Sequence, residues 1–279
     1  MTLPIAMKGR LSECLLLSYR TPARSVRHLV PKGMDLVTRD GWAFWSVLAC
    51  RVEGLRPTGT PACLGVSYHH VAYRLHVKAR AATGETQRGL YFVRSDADSN
   101  RVVRFGNLLT HFRLHPAAVE LSLAARDGGD VLTLAVSGRD EDAANDALVR
   151  VVTGAGAGAV GAATGFAAAP GSPFGSAAEA DEFLKYAPLA LAPDLDGRYF
   201  ELAEVVRDES KWRERPVRVI EAHFNFLRRL GQDELHLERA TRVDPVDYRW
   251  RLGRRVAVAL PGSPVPTERT PARPVRAAA

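Results

Sequence analysis

Residues 66–79, VSYHHVAYRLHVKA, constrain the fold more than any other stretch of the chain. Successive side chains of a strand project to opposite faces. Val71, Tyr73, Leu75 and Val77 then share one face, while Tyr68, His70, Arg74, His76 and Lys78 share the other. A helix would mix the two sets, so the pattern predicts a long strand with one apolar and one ionisable face. Thr83-Gly84-Glu85 supplies a turn, and residues 89–94 (GLYFVR) read as the antiparallel strand that returns.

The rest of the chain supports a β-rich α+β fold. Strands are predicted at 11–19 and 42–52, with a short helix at 23–30 opened by Pro22 and closed by Pro31 and Gly33. Capping residues over 95–100 predict a helix at 101–110. Asp127-Gly128-Gly129-Asp130 marks a hairpin between 117–126 and 131–138, the second strand being a candidate edge for pairing between subunits. Residues 154–175 read as an Ala/Gly/Pro loop, and 177–186 as a helix stopped by Pro188. Strands return at 198–206, 217–226 and 234–241. One domain is expected over 7–256, followed by a disordered Pro/Ala-rich tail at 257–279.

Composition excludes several classes. Apolar residues at 46% and charged residues at 25% describe a chain able to bury a core, not a disordered one. The net charge of +7 is spread along the chain. Its densest basic groups, Arg228–Arg229 and Arg251, Arg254, Arg255, read as solvated edges, so no nucleic-acid partner is expected. Cys14, Cys50 and Cys63 form no CxxC pair, which fits a reducing compartment. No signal-peptide core and no run of about 18–20 strongly apolar residues is present. A cytoplasmic protein with no membrane association is the expectation.

No cofactor and no metal are expected. His111 and His115 stand four residues apart but with Pro116 beside them and no carboxylate in the pattern. His70 and His76 share a strand face yet lie about 20 Å apart along it. Residues 156–161 match G-x-G-x-x-G inside low complexity, without the helix and acidic residue a dinucleotide site needs. Trp42, Trp45, Trp212 and Trp250 read as packing residues.

Five segments carry a resemblance: SVRHLVPKGMDLVTRDGWAFWSV (25–47), YHHVAYRLHVKA (68–79), GLYFVRSDADS (89–99), GSPFGSAAEADEFLKY (171–186) and VDYRW (246–250). Together they resemble domain-of-unknown-function family 2071, within the acetoacetate decarboxylase-like superfamily. The resemblance implies a cone-shaped antiparallel β-barrel flanked by a few helices, with a pocket inside and no assigned reaction. Superfamily relatives hold a Schiff-base lysine after the returning strand; the corresponding residues 101–116 contain none. Arg74 matches the family's strand arginine, His70 stands where a Glu is usual, and His76 replaces a Tyr. Arg74, His70, His76, Tyr68 and Tyr91 are therefore the candidate ligand-binding residues, with a small-molecule carboxylate or keto acid as the expected ligand. In the alternative, the ionisable row is solvated, or the barrel is filled by side chains and the protein is a non-catalytic structural or partner-interaction module. Catalytic residues and oligomeric state stay open.

Overall fold

A computed structural model describes residues 6–126, 129–138, 146–153, 169–185, 189–193 and 198–258. The strands are β1 (Ala6–Pro22), β2 (Met34–Leu36), β3 (Thr38–Arg39), β4 (Trp42–Pro57), β5 (Val66–Arg80), β6 (Thr86–Ala97), β7 (Leu114–Ala124), β8 (Val131–Gly138), β9 (Ala147–Val152), β10 (Leu189–Pro193), β11 (Tyr199–Arg207), β12 (Glu214–Pro216), β13 (Arg218–Phe224), β14 (His236–Val243) and β15 (Val246–Ala257). The helices are α1 (Ala23–Val26), α2 (Asn100–Leu109), α3 (Ala177–Leu184) and α4 (Asn225–Arg229). Strand dominates, as the alternating sequence predicts.

The pairings run β6–β10–β11–β15–β1–β4–β5 and return from β5 to β6. All are antiparallel except β6–β10, a parallel contact registered at Ala190–Leu90 and Leu191–Tyr91. A second sheet, β7–β8–β9–β13, leaves this circuit through a short parallel contact between β6 and β7. Strand β8 lies between β7 and β9. Its edges are therefore both occupied, and the expectation of an edge open to another subunit is corrected.

Both faces of the circuit are buried, each by its own cluster. The first contains Leu15, Leu17, Trp45, Val47, Val71, Tyr73 and Leu75, and continues into Leu132, Leu134 and Val149 of the second sheet. The second contains Leu16, Leu48, Cys50, Ala72, Leu90, Phe92, Ala190, Ala192, Ala203 and Val205, nearly all from the circuit's own strands. This double burial explains why β10 was not read from sequence: an LALA run buried on both sides shows no period.

Serine caps open α2 and α3. Ser99 accepts from the Val102 N–H at 3.4 Å to open α2, and Ser176 accepts from the Glu179 N–H at 3.2 Å to open α3. Phe105 and Leu108 of α2 stay exposed, Leu108 at 78%. Residues 127–128 of the hairpin turn, the Gly-rich match at 156–161 and the tail from 259 lie outside the described residues.

Candidate functional site

β5 positions the ionisable row as its alternation predicts. Arg74 is 0% exposed, His76 3% and His70 5%, with Tyr68 also buried. The solvated alternative for this face is therefore overturned, because the second cluster covers it. Lys78 alone reaches water, at the strand's end.

Arg74 sits opposite Ser46 on β4 and Phe92 on β6. Its Nη2 donates to Ser46 Oγ at 2.8 Å and its Nε to the Ser46 carbonyl at 3.4 Å. The guanidinium lies 5.7 Å from the Phe92 ring centroid. Burial, then the charge of Arg74, pushes the His70 imidazole down to about 4. Burial, then Arg88 and Arg74, pushes His76 down to about 3. Both imidazoles are thus neutral at physiological pH, and each can offer one donor and one acceptor. The Tyr68 hydroxyl is raised by burial.

Tyr91 does not join this set. Tyr73 opposes Arg94, but Arg74 opposes Phe92, so Val93 is an extra residue in β6. The bulge turns Tyr91 to stand opposite Leu75, and it packs in the first cluster. Its assignment beside Arg74 is corrected for that reason.

Two residues join the row that sequence reasoning missed. Glu201 of β11 stands opposite Ala192, a member of the second cluster, and so shares the face of Arg74. It is 4% exposed, and its Oε2 lies 2.7 Å from His111 Nδ1. His111 thus pairs with a carboxylate far along the chain and not with His115. A signal was present: Glu201 is the one acid among Tyr199, Ala203 and Val205 on its side of β11. Four buried polar atoms on this shared face have no hydrogen-bond partner among the described residues: His70 Nε2, His76 Nε2, Ser95 Oγ and Glu201 Oε1. Ser95 belongs here because it opposes Ala72. Such atoms are rare in native interiors and call for an explanation. Among the described residues, no group of three or more His, Cys, Asp or Glu gathers to hold a metal. No helix among them is long and apolar enough to cross a membrane.

Comparisons place this geometry in a known fold. The chain resembles an acetoacetate decarboxylase-like enzyme from Sphingomonas wittichii RW1 at TM-score 0.53 and 13% identity, covering 92% of this chain and 94% of that one. It resembles the enduracididine biosynthesis enzyme MppR, solved with pyruvate, at 0.50 and 11%, covering 93% and 91%. It also resembles the acetoacetate decarboxylase of Legionella pneumophila at 0.50 and 14%, covering 92% and 88%. At these identities the likeness shows the fold alone. No curated protein matches. A family model described as "Uncharacterized conserved protein", domain-of-unknown-function family 2071, matches residues 8–169, more than half of the chain. The chain belongs to that family.

Proposed function

We propose that the circuit closes as a cone-shaped barrel whose inward face carries Arg74, and that this interior binds a small carboxylate or keto-acid-like ligand. The observation that carries the reading is the set of four partnerless polar atoms on the face of a fully buried arginine. Buried polar groups cost free energy unless they are hydrogen-bonded, and a carboxylate-bearing ligand would engage the donors among them. The guanidinium would take the carboxylate bidentately. His70 and His76, neutral, would donate to the ligand's remaining oxygens. The pyruvate in the MppR structure is consistent with a ligand of this class in such a fold.

The reading includes the lack of a Schiff-base lysine. An amine nucleophile must be desolvated or crowded by charge to be neutral near pH 7. Lys32, Lys78, Lys185 and Lys211 are exposed, Lys8 is half-buried at the start of β1, and 101–116 holds none. Borohydride with pyruvate or acetoacetate should leave the mass of the intact chain unchanged; an adduct would sink this part of the proposal. Binding is tested by thermal shift against a panel of carboxylates and apolar ligands. Wild type should be stabilised by carboxylates and Arg74→Ala should not. Equal shifts in both would refute the site.

A second reading, a non-catalytic structural or partner-interaction protein with a side-chain-filled barrel, is favoured by two observations. Leu16, Leu48, Leu90 and Phe92 occupy the same face as Arg74. Phe105 and Leu108 leave an apolar patch on α2. A panel without any stabilising ligand would select it.

A further inference from the structure

A cavity of about 560 Å³ opens where the first residues of β1 meet the ends of β4, β11 and β15, and none of the Arg74 row lines it. On β1, Lys8 stands opposite Arg249 of β15 on one side and Arg56 of β4 on the other. Directly opposed residues project to the same face, so the three cations form one row spanning about 10 Å. Like charges in such positions destabilise a sheet. The next row along the same face, Asp247–Arg10–Glu53, alternates in sign, with Arg10 3.7 Å from Asp247.

The cation row has no such compensation. Lys8, Arg56 and Arg249 make no ion pair with a carboxylate among the described residues. Arg56 is fixed by its Nη1, which donates to the Gly54 carbonyl at 2.8 Å, while its buried Nε has no acceptor among the described residues. All three line the cavity.

We propose that Arg249, Lys8 and Arg56 form a second ligand site, for a compact polyanion of the phosphate or diphosphate class. Arg presents a planar fork and Lys a point charge, the two forms of donor that bind phosphoryl oxygens. Three adjacent cations match a charge of about −3 and would be neutralised by it, relieving their mutual repulsion. Asp247, Glu53 and Asp208 line the same cavity beside Arg10 and Arg207 and confine the uncompensated positive charge to the three-cation row, which favours a compact anion. The site is therefore distinct from the Arg74 interior in place and in ligand.

The test uses the full chain, inorganic pyrophosphate as probe, and sodium chloride at matched ionic strength as reference. Pyrophosphate should raise the melting temperature of wild type and chloride should not. Lys8→Met should melt higher than wild type without ligand, because it removes the central repulsion, and should lose the pyrophosphate response. Arg249→Gln should weaken pyrophosphate binding by roughly ten-fold or more, the effect of one lost charge-assisted hydrogen bond. Arg150→Gln on β9 and Arg74→Ala should both keep the response, which separates this site from the other. No response in wild type, an equal response to chloride, or an unchanged response in Lys8→Met would each overturn the proposal. Tighter binding of a short oligonucleotide than of pyrophosphate would overturn the compact-ligand assignment. If Lys8→Met does not fold, Arg249→Gln decides: an unchanged pyrophosphate affinity in it overturns the site.

Discussion

Arg74 and Ser46 face each other across β5 and β4, and the serine accepts from the guanidinium twice, through its hydroxyl at 2.8 Å and its carbonyl at 3.4 Å. Only the hydroxyl contact depends on the side chain. Ser46→Ala should therefore cost about 1.5–3 kcal/mol, the range for a hydrogen bond to a charged group. Arg74→Met in the Ser46→Ala background should recover part of that loss, since replacing both partners by apolar groups removes the buried charge as well. Urea unfolding of the four proteins in a double-mutant cycle measures the coupling. Strict additivity would show that the contact contributes nothing.

The two buried histidines make acid a specific threat. Their folded values of about 4 and about 3 lie below the ordinary 6.5. As pH falls, the unfolded chain therefore takes up these protons first, and stability is lost. What the neutral pair contributes is whole above pH 6.5 and drains as pH falls toward the folded values. Each histidine adds a slope of about 1.4 kcal/mol per pH unit over that window. Unfolding free energies between about pH 7 and about pH 5 should show a steep loss, shallower by one such slope in His70→Gln and again in His76→Gln. A flat profile in wild type would contradict the burial.

The cysteines should divide by position. Burial raises Cys14 well above the ordinary thiol range and Cys50 to about 12, while Cys63 is exposed. Thiolate is the reactive form. A disulfide-exchange reagent should therefore modify one thiol per native chain, Cys63, and all three after denaturation. Rapid loss of a second thiol in the native state would show that the strand circuit opens readily.

Gly89 lies at the parallel contact between β6 and β10. A Cβ there would stand 2.5 Å from the Leu189 carbonyl oxygen and 3.2 Å from Leu191 Cγ. Backbone blocks the first of these, so one strand must move. Gly89→Ala should cost about 1–3 kcal/mol as overpacking, and should speed hydrogen exchange at Leu90 and Ala190. Unchanged exchange there would mean that the two strands separate without penalty.

The strand carrying Arg74 was legible because its two faces differ in chemistry residue by residue. The same logic failed on β15, where Tyr248, Trp250 and the surrounding arginines alternate between cluster and solvent in a stretch that sequence alone read as a basic edge. Burial of the ionisable row was invisible, because the cover comes from strands far along the chain. Glu201 and His111 were missed for a related reason: their pairing joins residues 90 positions apart. The cation row across Arg249, Lys8 and Arg56 depends on the registers of three strands, which no local pattern encodes.

The extra residue at Val93 acts on β6 as a frameshift acts on a coding sequence. Upstream of it, every residue is read onto the face opposite to the one that simple alternation from Arg94 would give, so Phe92 meets Arg74 and Tyr91 does not. Read without the bulge, the same sequence would place Val93 opposite Arg74, Phe92 opposite Leu75 and Tyr91 opposite His76, whereas deleting Val93 would only close the bulge and leave Phe92 opposite Arg74. The bulge, and not the chemistry of the residue it extrudes, thus sets a bare aromatic ring against that arginine and turns the neighbouring phenol to the other face.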